Sequence, residues 1–209
     1  NVPRDCGQTP CYYFGHSVAL SGDTLAVGVP ADRSNQNTIN NDSTASTDTS
    51  LTSSGAVFVY KRTGTIWAQE AYIKSHLNNG NRSLDYFGAN IALYGDRLAV
   101  SAKQDNSNPY NNGLGANTGM VYIYKRTGSS WALESLINAI NADQGEFGGG
   151  GNTFSQSLAM DNDTLVVGAP GEDSNQTTII NGTTASTNTS SSNSGAVYVY
   201  RRSGTSWTQ

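Results

Sequence analysis

Charge is scarce in this sequence, and so are the residues on which most catalytic and metal chemistry depends. Asp, Glu, Lys and Arg together make up 13% of the 209 residues, which leaves the polar surface to Ser, Thr, Asn and Gly. A net charge of −4 excludes the basic balance used to bind nucleic acid or an anionic membrane nonspecifically. No apolar run approaches the roughly 20 residues that span a bilayer as a helix, so no membrane span is expected. His16 and His76 are the two histidines, and neither sits in a nucleophile motif or at a telling distance from a carboxylate. No catalytic residue is nominated, and a protein that is not an enzyme is expected. Asn1 opens the chain without a basic, apolar, small-residue pattern, so a signal peptide is either absent or already removed.

Cysteine is nearly absent as well. Cys6 and Cys11 bracket Gly-Gln-Thr-Pro. A redox or metal pair is the functional alternative, but metal sites normally bring more Cys or His nearby. A small structural disulfide closing a turn is the better reading, and it implies an oxidising compartment.

What the sequence has is repetition. Phe14–Pro30 reads FGHSVALSGDTLAVGVP, and the same seventeen positions recur without a gap at Phe87–Lys103 and Phe154–Pro170. Each copy is followed, after an insert of variable length, by a second block: Gly55–Trp67, Gly119–Trp131 and Gly195–Trp207. Fixed blocks separated by variable inserts define a repeated supersecondary unit with loops on one side.

The first block alternates apolar and polar residues, turns at Ser21-Gly22-Asp23, and resumes at Leu25. Period two around a Gly/Asp turn predicts a β-hairpin. The second block predicts another: Val57–Tyr60, a turn at Arg62-Thr63-Gly64, and a return strand opening at Trp67. A helix over Trp131–Ile140 is the one contender, set aside because its counterpart Trp67–Lys74 is rich in aromatic and branched residues. Four antiparallel strands per unit make the chain all-β.

Four-stranded units recurring every 65–75 residues or so resemble propeller blades carrying insertions. With its Phe-Gly start and the Val167-Gly168-Ala169-Pro170 end, the unit resembles the FG-GAP repeat family, the blades of integrin α-subunit heads and of many bacterial surface proteins. The resemblance covers nearly the whole chain beyond the first dozen residues. Ser155 replaces Gly in unit three, and Ser101-Ala102-Lys103 replaces Gly-Ala-Pro in unit two. The expected organisation is an N-terminal segment 1–13 with the disulfide loop, then blade-like repeats 14–86, 87–153 and 154–209. The fourth strand of the last repeat is cut short.

Integrin-type blades often carry an Asp-x-Asp-x-Asp-Gly loop for Ca²⁺, and that loop is not in this sequence. The equivalent turns hold one or two carboxylates each (Asp23, Asp96, Asp161 and Asp163), whereas Ca²⁺ takes six to eight oxygens. These Asp residues are read as turn formers and no cofactor is expected, with Ca²⁺ at Asp32, or at Glu172 and Asp173, in the inserts as the open alternative.

The inserts Ala31–Ser54 and Gly171–Ser194 are each 24 residues long and clearly related, while Gln104–Thr118 is shorter. Such Ser/Thr/Asn tracts cannot build a core and belong on the surface. Six N-x-S/T sequons, at Asn41, Asn81, Asn162, Asn175, Asn181 and Asn188, are candidate glycosylation sites. Asn41 and Asn181 hold the same place in the two related inserts. The pairs Lys61-Arg62, Lys125-Arg126 and Arg201-Arg202 contain six of the twelve cationic residues. They read either as a cationic rim for an acidic glycan or partner, or as solvated turn charges. The Tyr beside each pair and the Trp seven residues later are read as core.

Three blades do not close a propeller, which typically has four to eight. An open array exposes a sheet edge and an apolar blade face, and both invite association. The expectation is a non-catalytic extracellular or cell-surface protein, structural or adhesive, that self-associates as a filament or as a six-bladed ring of two copies. The alternatives are a module binding a glycan or a surface-protein ligand through its loop face, as the integrin resemblance implies, and an accessory domain of a larger secreted protein.

Overall fold

The computed structural model describes residues 13–75, 83–105, 119–139 and 157–209. Cys6, Cys11, His76, Asn81, Phe154, Ser155 and most of the middle insert lie outside them.

Twelve strands form three four-stranded antiparallel sheets, with no helix among the described residues. The first blade holds β1 (Ser17–Ser21), β2 (Thr24–Val29), β3 (Ala56–Thr63) and β4 (Ile66–Ile73). The second holds β5 (Ile91–Tyr94), β6 (Arg97–Ala102), β7 (Met120–Thr127) and β8 (Ser130–Ile137). The third holds β9 (Leu158–Asp161), β10 (Thr164–Ala169), β11 (Ala196–Ser203) and β12 (Ser206–Thr208). Strands follow chain order across every sheet, and β5 lies against both β1 and β9. This is the arrangement of propeller blades, first strands side by side.

The first hairpin of each blade turns through two residues: Gly22-Asp23, Gly95-Asp96 and Asn162-Asp163. Their leading residues share a left-handed backbone, with φ of 55°, 55° and 50°. Glycine takes that conformation freely, and Asn is among the side chains that tolerate it best. The second hairpin departs from expectation. β3 runs on through Thr63, and the turn falls at Gly64-Thr65, because Gly64 supplies the positive φ of 62° that this tight loop needs. The basic pairs therefore sit within the strands, not in the turns.

Alternation gives each sheet two unlike faces. One carries large side chains: Ile91, Leu93, Leu98, Tyr122 and Tyr124 in the second blade. The other carries small or β-branched ones: Ala26, Val57, Val59 and Ala71 in the first. These two faces pack together as the core between blades one and two. The same match, Ala92, Ala99, Val121 and Ile123 against Leu165, Val167, Tyr198 and Tyr200, builds the core between blades two and three. Large side chains facing small ones let the two surfaces interlock, as close-packed interiors require. Burial follows from position: Met120–Tyr124 of the middle blade are all buried, while the equivalent strand of the third blade alternates buried and exposed.

The motif glycines hold the blades together. A Cβ on Gly28 would lie 2.1 Å from the carbonyl oxygen of Gly88, so the Gly of one blade's closing motif meets the Gly of the next blade's opening motif. Ser17 Oγ donates to that same carbonyl at 2.8 Å. Close approach of two backbones is the physical reason for glycine there.

Candidate functional site

Each blade carries an internal latch. The Arg62 guanidinium meets Asp23 at 2.7 Å, Arg126 meets Asp96 at 2.8 Å, and Arg202 pairs with Asp163. The same three Arg donate their backbone N–H to the same three Asp carbonyls, each at 2.8 Å. Hydrogen bonding to Arg62, then its charge, holds the Asp23 carboxyl below its ordinary range. The second member of each basic pair is thus tied to a turn Asp. Of the first members, Arg201 donates to Thr164 Oγ1 at 2.7 Å, and Lys125 is exposed.

Across the same hairpins each Arg faces a Trp in register: Arg62 with Trp67, Arg126 with Trp131, Arg202 with Trp207. The guanidinium lies over the ring at 5.6 Å for Trp67 and 5.7 Å for Trp131. The Trp differ in burial, since Trp131 is 2% exposed and Trp67 40%.

That difference comes from contacts between blades. Glu70 sits at a register shift between β3 and β4, where Val59 pairs with Ala71 but Tyr60 pairs with Gln69. A bulge of this kind re-aims a side chain. Glu70 reaches the second blade and accepts from Trp131 Nε1 at 2.9 Å and from Arg126 at 3.2 Å. The first insert adds a clamp: Asn41 Oδ1 accepts from the Trp131 N–H at 2.6 Å, and Asn41 Nδ2 donates to the Trp131 carbonyl at 3.2 Å. Ile39 of the same insert packs on the core between these blades.

The next junction uses its Glu differently. Glu134 occupies the corresponding bulge, but Arg97 takes it in a two-pronged pair at 2.9 and 3.0 Å. Trp207 Nε1 is buried with no hydrogen-bond partner among the described residues. The equal spacing Trp67–Glu70 and Trp131–Glu134 was a signal in the sequence for this pair of acids, and only the fold shows which way each turns.

The base of the first insert is held by a buried network. Lys74 Nζ pairs with Asp32 at 3.2 Å, both side chains fully buried, and donates to Ser54 Oγ at 2.8 Å. Tyr72 OH donates to Asp32 at 3.1 Å. Glu172 holds the same position in the third blade, where it accepts from the backbone and hydroxyl of Ser174. No group of three or more His, Cys, Asp or Glu suited to a metal occurs among the described residues.

A cavity of about 270 Å³ opens where the first two blades meet, lined by Tyr13, His16, Tyr86 and Lys103 among others. Lys103 Nζ lies 4.3 Å from the centre of the Tyr86 ring, and burial pushes its ammonium below the usual lysine range. Lys103 stands where the other two repeats have Pro30 and Pro170, so the departure from the motif places the cation here.

The described sequons are not alike. Asn41 is engaged at the blade junction, and Asn162 forms a hairpin turn. Asn175, Asn181 and Asn188 stand exposed on the third blade's insert.

Residues 148–200 match the family model for the FG-GAP repeat. The match takes in β9, β10 and most of β11, and all three sheets share one four-stranded antiparallel order. No curated protein matches the chain. No helix among the described residues is long and apolar enough to cross a membrane.

Proposed function

We propose that this is a non-catalytic extracellular structural or adhesive repeat protein that associates with itself through its blades. One observation carries the reading. The two outward-facing sheets expose apolar side chains at positions that are buried or half-buried wherever two blades meet. Val18 and Leu20 on the first blade are 63% and 64% exposed, whereas their counterparts Ile91 and Leu93 are 8% and 9%. On the third blade Val197 is 66% exposed, and its counterpart Val57 is fully buried. Contiguous apolar surface of this kind marks an interaction site. Light scattering and negative-stain imaging of the native protein test the reading. Species larger than the 22.1 kDa chain support it, and a monomer at every concentration overturns it.

The cavity between the first two blades favours a second reading, a module that binds a glycan or a protein ligand. Its tyrosines offer stacking faces, and Lys103 offers a partly desolvated cation for an acidic group. A glycan array read with and without Ca²⁺ separates this reading from a purely structural role. Binding lost on changing Lys103 to Met would assign it to the cavity.

A further inference from the structure

The inserts of the first and third blades are the same device, one engaged and one not. In the first insert Ile39 packs on the next blade and Asn41 clamps the backbone of Trp131. The third insert repeats the sequence at the same length, which places Ile179 and Asn181 at those two positions. Ile179 is 89% exposed, and Asn181 is exposed beside it. Behind them lies the small-residue face with Val197 and Val199, equivalents of Val57 and Val59, which are fully buried against the second blade.

A matching surface stands at the other side of the molecule. The first blade presents Val18, Leu20, Tyr60 and Trp67, the equivalents of Ile91, Leu93, Tyr124 and Trp131. Those four are what the first blade and its insert cover on the second. Trp67 lies across from Arg62 as Trp131 does from Arg126, so the hairpin backbone that Asn41 grips on the second blade has its twin on the first.

We infer that the third-blade insert is a docking latch for a second copy of this chain: Asn181 clamps the backbone of Trp67, and Ile179, Val197 and Val199 cover Val18 and Leu20. The contact continues the packing already present twice inside the chain, and it joins two different surfaces head to tail. It rests on the self-association proposed above and names the surfaces responsible.

The test uses the full chain and two variants at exposed positions. Ile179→Asp with Asn181→Ala alters the latch, and Leu20→Asp alters the face it grips. Val18→Asp replaces Leu20→Asp should far-UV circular dichroism show that variant unfolded. Sedimentation velocity is run on each variant alone and on an equimolar mixture. The expected result is that each variant alone loses the assemblies of the unaltered chain. The mixture regains a two-chain species, because one intact latch still meets one intact face. Unchanged assembly of either variant, or no recovery in the mixture, overturns this interface while leaving self-association standing. A monomeric unaltered chain overturns both.

Discussion

The side-chain amide of Asn41 spans the backbone of Trp131, accepting from its N–H at 2.6 Å and donating to its carbonyl at 3.2 Å. A loop of the first blade thereby holds an outer hairpin of the second. Asn41→Ala leaves both Trp131 backbone groups without this partner, at a cost of about 1–2 kcal/mol. Urea denaturation at a protein concentration low enough to dissociate any assembly should show that loss. Asn181→Ala, at the equivalent exposed position, should fall within about 0.5 kcal/mol of zero.

Glu70 joins the same junction through charge. Removing it in Glu70→Ala strands the Trp131 indole N–H, which is buried, and takes an acceptor from Arg126. The expected destabilisation is about 1–3 kcal/mol, with a change in Trp131 fluorescence. Glu70→Gln keeps an oxygen for the indole and should cost less. An equal cost for both would mean that the indole bond contributes nothing.

The Lys74–Asp32 pair is fully buried, so breaking one side is worse than replacing both. Lys74→Met leaves a buried carboxylate without its cation and should cost about 3–5 kcal/mol. Adding Asp32→Asn removes the charge while keeping an oxygen for Tyr72 OH. The double variant should be more stable than Lys74→Met alone, as thermal melts of the two would show.

High pH should unfold the protein through its tyrosines. Burial first, then the charge of Asp105, pushes the Tyr122 and Tyr124 phenols well above their ordinary value of 10.0. In the unfolded chain they release protons near pH 10, while in the folded one they hold them. Above that pH the unfolded state binds fewer protons, so stability falls as pH rises. Their contribution is complete below about pH 10 and disappears above it. Phenolate absorbance should show two tyrosines that titrate only as the fold is lost.

Much of the blade was legible in the residues. Period-two alternation around Gly22-Asp23 and the Gly64 loop marks two hairpins, and the threefold repeat makes each assignment three times over. Trp131 opens a strand, as its counterpart Trp67 indicated, because β-rich composition outweighs an apparent helical spacing in so short a segment. The turn after β3 begins at Gly64, two residues beyond the Arg62 at which turn-like composition starts, because Arg62 belongs to the strand and pairs across it with Asp23 and Trp67.

Sequence by itself determined the repeat, its four strands, and the large and small faces, since these follow from side-chain alternation along a pleated backbone. Only the tertiary structure decided which equivalent residues act alike. Asn41 and Asn181 are the same residue in the same loop, and so are Trp67 and Trp131 in the same hairpin. One of each is engaged because another blade lies against it. A blade's chemistry is local, but the burial, partners and charge balance of its outer residues belong to the neighbour it meets.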